Sequence, residues 1–257
     1  MYYRRKILLA LLSVFDGQLT AKQFQKYLFL FTRKQEIKSF DFVPYRYGCF
    51  SFQANQDIAT LAKYGYCTIA ENRKVRFFEL TKDDDFFNTL KPEDRKSLLE
   101  VKAQFGNLSQ SDLIRYTYRQ YPYYAIKSVI AKDLLNSTEL NSIELQKRHY
   151  PEKQLFSIGY EGISLEAYIN KLIINDVNVL CDVRKNAYSQ KYGFSKKTLE
   201  LACKSVDIEY VHIPDLGIIS NKRKELSSQV DYDDLFREYE KTTLKENRAS
   251  LLAIRSL

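Results

Sequence analysis

SIGYEG (Ser157–Gly162), LCDVRKNAYSQKYGFSKKTL (Leu180–Leu199) and IEYVHIPDLG (Ile208–Gly217) are the pieces of sequence that decide the fold of the C-terminal part. Each contains or adjoins a short, nearly continuous apolar run, which is typical of strands buried on both faces of a parallel sheet. Apolar residues at helical spacing separate these runs. Two successive strand–helix–strand units predict a three-layer α/β domain with a mainly parallel sheet and right-handed connections. The predicted strands are Leu155–Tyr160, Val177–Val183 and Ile208–Pro214.

Polar side chains follow each predicted strand, at the edge where parallel sheets bind ligands. Tyr160 and Glu161 end the first strand, Asp182 and Arg184 end the second, and His212 ends the third. Because a histidine near carboxylates can transfer protons, Asp182, Glu161 and His212 are the candidate catalytic residues. A structural ion pair between Asp182 and Arg184, and a histidine with a purely structural hydrogen bond, are the competing interpretations.

Basic residues crowd the loop after the second strand and the start of the next helix. Lys or Arg occupies positions 184, 185, 191, 196 and 197. Free backbone N–H groups at a helix start can bind phosphate together with nearby cations. The candidate phosphate- or ligand-binding residues are Tyr160, Arg184, Ser189, Lys196 and Arg223. A solvated charged loop is the alternative.

The same stretch resembles the domain of unknown function 488 family, a set of small α/β proteins. The family pattern combines an IGYEG-like turn, a DVR strand end, a GFSK segment and an IxYxHxPxLG segment before basic residues. The matching residues here are Ile158–Gly162, Asp182–Arg184, Ser189, Gly193–Lys196, Tyr210, His212, Pro214, Leu216 and Gly217, with Asn221–Lys224 in the basic segment. The resemblance covers about Leu155 to the C-terminus.

This chain departs from the family pattern in two places. Ala187 stands where the family has a proline, which implies a looser loop after the DVR segment. The family continues from its closing strand into a Cys-His-Arg motif. The corresponding strand here would be Ser250–Ile254, and Arg255-Ser256-Leu257 follow it instead. The resemblance therefore implies a truncated domain or a partly lost site, and it leaves catalysis open.

Residues 1–82 predict three helices and then a hairpin, the element order of a winged helix. The helices are predicted at Tyr3–Phe15, from a cap at Thr20 to Arg33, and at about Phe52–Lys63, with the hairpin at Cys67–Leu80. The loop PYRYGCFS (Pro44–Ser51) resembles a segment of bacterial winged-helix and antitoxin-like domains, with Cys49 in place of a proline. By analogy with helix-turn-helix docking, the third helix would read bases and the hairpin would be a basic wing. The residues predicted to contact nucleic acid are Arg46, Gln53, Asn55, Arg73, Lys74 and Arg76.

The excess positive charge of the chain lies entirely in this first part. The chain holds 40 Lys and Arg against 32 Asp and Glu, a formal net charge of +8. Residues 1–82 hold 14 basic and 6 acidic residues, and the other 175 residues hold 26 of each. DNA phosphates are bound through such an excess, so DNA is the predicted partner. A winged helix can also serve protein contacts or dimerisation, which keeps a homodimer as the alternative.

Residues 83–132 predict a helical extension of the winged-helix domain, and 133–154 a polar linker. In RYTYRQYPYYAIKS (Arg115–Ser128), tyrosines alternate with basic residues. This segment is interpreted as an amphipathic helix and turn packed between domains, with a stacking surface for single-stranded nucleic acid as the alternative. The predicted organisation is thus an (α+β) winged helix at 1–82, the extension, the linker and an α/β domain at 155–257.

Composition narrows the function classes further. Four scattered cysteines and only two histidines argue against disulfides and a multi-histidine metal site, and no cofactor is expected. No apolar run is long enough to span a bilayer, so a cytoplasmic protein is predicted. We expect a nucleic-acid-associated protein: the winged helix binds DNA, and the α/β domain binds or processes a phosphate-bearing nucleotide or modified base in transcriptional control or foreign-DNA defence. The alternative is a non-catalytic interaction or ligand-sensing protein.

Overall fold

The structure is a computed structural model that describes residues 1–81, 84–223 and 226–256, without the side chains of Ser220 and Arg223. Contacts divide the chain into two compact units, Met1–Asp176 and Val177–Leu257. The predicted boundary at Lys82 and Asp83 lies outside the described residues.

The first unit begins with three long helices and a three-stranded antiparallel sheet. Its elements are α1 (Tyr3–Val14), β1 (Gln18–Thr20), α2 (Ala21–Lys34), β2 (Val43–Tyr45), β3 (Gly48–Phe50), α3 (Phe52–Lys63), β4 (Cys67–Asn72) and β5 (Val75–Leu80). β5 lies between β1 and β4, and Phe78 of β5 is opposite Leu19 on one side and Ile69 on the other. The predicted helices and hairpin are confirmed, whereas β1 and the β2–β3 hairpin were not predicted.

Local sequence explains where these elements begin and turn. The Thr20 hydroxyl accepts a hydrogen bond from the Gln23 backbone N–H, and the Gln23 side chain accepts one from the Thr20 N–H, which is a capping box at the start of α2. Between β4 and β5, Arg73 and Lys74 have φ angles of 47° and 66°. Two consecutive positive φ angles are what a two-residue hairpin turn requires.

Aromatic rings hold α1, α2 and the sheet together around one core. Phe15 stacks on Tyr27 with ring centroids 4.0 Å apart, and Phe24 meets Phe78 edge to face at 5.0 Å. All four side chains are buried. Burying a side chain of this size stabilises a fold by roughly 1.5–3 kcal/mol, so this cluster fixes the helices on the sheet.

The rest of the first unit is mainly helical, with an irregular segment at residues 145–164. It comprises α4 (Pro92–Phe105), α5 (Gln110–Gln120), α6 (Ala131–Leu134), α7 (Ser137–Glu144) and α8 (Leu165–Ile174). The segment predicted as a linker, 133–154, contains α7, which a capping box at Asn136 starts. The tyrosine-rich segment packs inside this unit, because Tyr121 and Tyr124 both meet the ring of Phe29 edge to face.

The first predicted C-terminal strand, Leu155–Tyr160, is wrong. Residues 153–160 have no regular secondary structure, and Leu155 is 90% exposed. An apolar run forms a strand only when a neighbouring backbone accepts its hydrogen bonds. No such pairing of this run is present among the described residues.

The second unit is built on two parallel strands. Its elements are β6 (Val179–Asp182), α9 (Lys196–Lys204), β7 (Glu209–His212), α10 (Gln229–Tyr239) and α11 (Arg248–Ser256). The mainly parallel sheet expected here is therefore two-stranded in the described residues. The strand expected at Ser250–Ile254 is wrong, since these residues lie in α11. In the described ranges of both units, every helix is too short or too polar to cross a membrane.

Candidate functional site

The β6–α9–β7 unit brings the ends of its two strands to one edge. The register pairs Val179 with Glu209 and, at the carboxyl end, Asp182 with His212. The backbone N–H of Ile213 donates to the carbonyl of Asp182 at 2.9 Å and extends this pairing. The predicted meeting of Asp182, Arg184 and His212 is confirmed, because the parallel register delivers them to the same edge.

Arg184 surrounds the carboxylate of Asp182. Its Nη2 lies 2.6 Å from Oδ2, its Nε lies 2.9 Å from Oδ1, and its backbone N–H also donates to Oδ1 at 3.0 Å. Nη1 donates to the carbonyl oxygen of Phe194 at 2.9 Å. This geometry is a bidentate ion pair with a third anchor, so both side chains of the pair are held in one orientation.

Tyr210 is the third partner of this carboxylate. Its hydroxyl donates to Asp182 Oδ2 at 2.6 Å. Burial acts to raise the pKa of Asp182, but the hydrogen bonds from Arg184 and Tyr210 outweigh it and hold that pKa below its usual value. Burial and the Asp182 carboxylate both raise the pKa of Tyr210. Asp182 is therefore an ionised acceptor, which fits an orienting role better than proton transfer.

His212 has its tautomer fixed by a backbone contact. Its Nε2 lies 2.9 Å from the carbonyl oxygen of Arg184. Because a carbonyl oxygen only accepts, Nε2 carries a proton and donates it to this carbonyl. The side chain is half-buried. His212 thus contacts the Asp182–Arg184 segment through a backbone carbonyl and not through a carboxylate.

The loop from 185 to 195 closes on itself through two serines. The Ser195 hydroxyl donates to the carbonyl of Ser189 at 2.8 Å and accepts from the Ser189 N–H at 3.2 Å. The Lys196 N–H, at the first position of α9, donates to the carbonyl of Ala187 at 2.8 Å. That N–H group is therefore already used. The exposed side chains of Lys196 and Lys197 remain the cations next to it.

Not every predicted ligand-binding residue belongs to this edge. Tyr160 and Glu161 lie in the first unit, just after the segment that does not form a strand. The side chain of Arg223 lies outside the described part of the structure. In the second unit the described candidates are thus Asp182, Arg184, Ser189, Lys196 and His212, together with Tyr210, to which the sequence assigned no role.

The basic residues predicted to contact nucleic acid in the hairpin are all exposed. Arg73 and Lys74 form its two-residue turn, and Arg76 follows on β5. Arg46, in the turn between β2 and β3, is also exposed, and its carbonyl oxygen accepts from the Val129 N–H at 2.9 Å. The hairpin tip is therefore an exposed basic surface.

The start of α3, where bases were predicted to be read, is covered by α8. The carboxylate of Glu166 accepts a hydrogen bond from the Ser51 hydroxyl at 3.0 Å and from the Gln53 N–H at 2.8 Å. The Gln53 side chain donates to Asp57, whose carboxylate is also paired with Arg4 at 2.6 Å. Gln53 is thus tied to two buried carboxylates, and both Gln53 and Asn55 are half-buried.

Sequence reasoning missed Glu166 and Asp57. Glu166 is 1% exposed and Asp57 is fully buried. An acidic residue in the first turn of a helix usually faces solvent and complements the helix dipole, so nothing local marked Glu166 as a cap for a different helix. Among the described residues, no group of three His, Cys, Asp or Glu side chains is arranged to hold a metal ion.

Comparison with known families supports the resemblance in the C-terminal part alone. Residues 164–257 match the family model described as Domain of unknown function DUF488. The match begins at Ser164, so it excludes the N-terminal helices and hairpin and includes α8. No curated protein matches the chain.

Proposed function

We propose that the first unit contains a winged helix that binds DNA through its β4–β5 hairpin. Three helices, a short β1 and a hairpin whose second strand lies between β1 and the first strand make up such a domain. The observation that carries the proposal is the exposed basic tip formed by Arg73, Lys74 and Arg76. The +8 balance of residues 1–82 supports it, since such a charge attracts phosphates.

The hairpin, rather than α3, makes the first contact in this proposal. Helix-turn-helix domains place the start of their recognition helix in the major groove. Here that start is joined to Glu166 and Asp57 through Ser51 and Gln53, so base reading there would require α8 to leave. Binding through the hairpin alone would be electrostatic and weakly dependent on sequence.

Fluorescence anisotropy with labelled double- and single-stranded DNA, measured across a salt series on the full chain, tests this proposal. Replacing Arg73, Lys74 and Arg76 together by Gln should weaken binding at least about tenfold. It should also lower the slope of log K against log salt by up to about 3, because up to three phosphate contacts are lost.

A matched variant tests whether DNA binding depends on the hairpin residues or only on the overall charge of the chain. Replacing the exposed residues Lys96, Lys132 and Arg148 by Gln removes the same charge from other parts of the first unit. This variant should keep most of the affinity and the slope. Equal losses in both variants, or no binding by the unmodified chain at low salt, would reject the hairpin as a DNA contact. In the latter case the protein-contact or homodimer alternative would take its place.

For the second unit, we propose binding of a phosphate-bearing nucleotide or modified base without proton transfer at Asp182. The engagement of both Asp182 oxygens by Arg184 and Tyr210 favours this ligand-sensing role over a catalytic one. The exposed lysines at the start of α9 supply the cations. The affinity for AMP, measured by titration, should be lowered by Lys196→Gln and should be unchanged in the exposed control Lys204→Gln. AMP turnover that disappears in His212→Ala would instead establish catalysis.

A further inference from the structure

A cavity of about 280 Å³ is lined by residues of the first unit, none of which belongs to either candidate site. It is bordered by the C-terminal end of α2, the loop before β2, Tyr124 and one side of α8. Small-molecule sites of proteins have volumes of about 300–1,000 Å³, so this cavity is suited to a small ligand.

Three cationic side chains line this cavity. They are Arg33 of α2, Lys38 of the following loop and Lys171 of α8. Asp41 is the acidic side chain among the lining residues, and its Oδ2 accepts a hydrogen bond from the Ser164 hydroxyl at 2.7 Å. Among the ion pairs of the described residues, none involves Arg33, Lys38 or Lys171. The lining therefore has an excess of positive charge that the protein does not neutralise.

Arg33 is held in place but incompletely satisfied. Its guanidinium carbon lies 4.5 Å from the ring centre of Phe29 and 5.3 Å from that of Tyr124, and Nη2 donates to the Tyr124 hydroxyl at 2.6 Å. Its Nε is buried and has no hydrogen-bond partner among the described residues. A buried charged donor without an acceptor costs free energy, so the described residues leave the Arg33 guanidinium only partly satisfied.

The remaining lining is apolar and aromatic, and one amide is fixed within it. Phe40, Phe42 and Tyr124 border the cavity. The Asn170 amide donates to the carbonyl of Phe42 at 2.7 Å and accepts from the Tyr123 hydroxyl at 2.7 Å, so its orientation is set without a ligand. Aromatic walls with a few converging polar groups favour a ligand with a flat apolar body.

We propose that this cavity binds a small organic anion, a phosphate or carboxylate head group on a flat apolar body. Arg33, Lys38 and Lys171 surround the head group, and Phe40, Phe42 and Tyr124 contact the body. The site is independent of DNA binding by the hairpin and of any ligand at the edge of the second unit. It adds a small-molecule activity to the first unit.

Isothermal titration calorimetry of the full chain at low salt tests this site with phenyl phosphate and benzoate as probes. Lys38→Gln and Lys171→Gln should each lower the affinity about tenfold, which is the usual loss for a charge-assisted hydrogen bond. Arg33→Lys keeps the charge and removes the planar guanidinium, which binds anions through paired N–H groups, and we expect a similar loss. Lys132→Gln, an exposed lysine of α6 outside the cavity, is the control and should bind as the unmodified chain does.

Inorganic phosphate and phenol measure separately what the anionic head group and the apolar body contribute to the affinity. We expect phenyl phosphate to bind at least about tenfold more tightly than either fragment, because both parts contribute. Inorganic phosphate binding as tightly as phenyl phosphate would overturn the apolar half of the proposal. No binding of either probe below about 10 mM, or equal affinities in all variants, would overturn the site. The lysine variants keep the test valid if Arg33→Lys unfolds, because both lysines are exposed.

Discussion

The Asp182 carboxylate accepts hydrogen bonds from two side chains and one backbone N–H of the second unit. One carboxylate receives Arg184 on both oxygens and Tyr210 on one of them. The carbonyl of Arg184, positioned by the same turn, accepts from His212. The sequence predicts the meeting of Asp182, Arg184 and His212, but it also assigns Tyr160 and Glu161 of the first unit to this edge and gives Tyr210 no role. It could not choose between the ion pair and proton transfer, because that choice depends on which lone pairs of the carboxylate are occupied.

Asp182→Asn should destabilise the protein by about 3 kcal/mol at pH 7, because Arg184 loses its charged partner in a buried place. The lowered pKa of Asp182 means that its contribution is complete above the unfolded value of about 3.9 and is lost as pH falls through the folded value. Below about pH 4 the difference between the two proteins should begin to shrink, because Asp182 becomes protonated. Urea unfolding between pH 3 and 7 measures this, with exposed Asp215→Asn as the control. A constant difference at every pH would contradict the assignment.

Gly217 and Gly159 differ in the space that their surroundings leave for a side chain. A Cβ added to Gly217 would lie 2.1 Å from the backbone nitrogen of Lys185 and 2.6 Å from the carbonyl oxygen of Val183. Because these are backbone atoms, Gly217→Ala must push two chain segments apart, and we expect a loss of about 3 kcal/mol. At Gly159 nothing lies within 4 Å of such an atom, so Gly159→Ala should be nearly neutral. Thermal unfolding of both variants measures this, and equal effects would contradict the close approach at Gly217.

At the scale of elements, the sequence predicted what local interactions determine. The β4–β5 hairpin and the cap of α2 depend on neighbouring residues, and both are predicted at their observed places. The run Leu155–Tyr160 has the composition of a strand, but pairing depends on a distant backbone that composition does not encode. The same reason explains the error at Ser250–Ile254, where apolar residues form one side of α11 instead.

Glu166 of α8 caps the start of α3. This contact can be tested through the pH dependence that ionisation of Glu166 gives to the stability of the protein. Burial raises the pKa of Glu166, although hydrogen bonds from the Gln53 N–H and the Ser51 hydroxyl oppose the shift. The folded state therefore holds its proton to higher pH than the unfolded state. Its contribution is complete below about pH 4.5 and is lost as pH rises through the folded value. Glu166→Gln should remove this dependence and lower stability by no more than about 1 kcal/mol at pH 7, because the amide oxygen still accepts both hydrogen bonds.

Glu166→Ala completes the comparison, because it removes the acceptor as well as the charge. It leaves the Ser51 hydroxyl and the Gln53 N–H unsatisfied, and we expect a loss of about 3 kcal/mol. Urea unfolding at pH 4.5 and 7.5 compares both variants with Glu144→Gln, an exposed glutamate of α7. A pH dependence that survives in Glu166→Gln would show that another group causes it.

At the scale of the whole molecule, the family match and the division of the chain by residue contacts begin the C-terminal part at different residues. The match begins at residue 164, whereas the compact second unit begins at Val177. α8 lies between these limits and is joined to the first unit by Glu166, Asn170 and Ser164, which bond to Ser51, Phe42 and Asp41. A helix that lies inside the family match therefore makes its contacts with the first unit.

This arrangement predicts the stability of truncated chains. A fragment of residues 1–176 keeps α8, whereas a fragment of residues 1–163 loses the cap on α3 and the hydrogen bonds at Asp41 and Phe42. We expect the shorter fragment to be less stable by at least about 3 kcal/mol, since buried polar groups lose their partners. Urea unfolding followed by circular dichroism measures both fragments. Glu166→Ala in the longer fragment is the matched control. It should reproduce part of the stability loss that we expect for the shorter fragment. Equal unfolding midpoints for the two fragments would mean that α8 does not stabilise the first unit, and the boundary of the second unit would then return to residue 164.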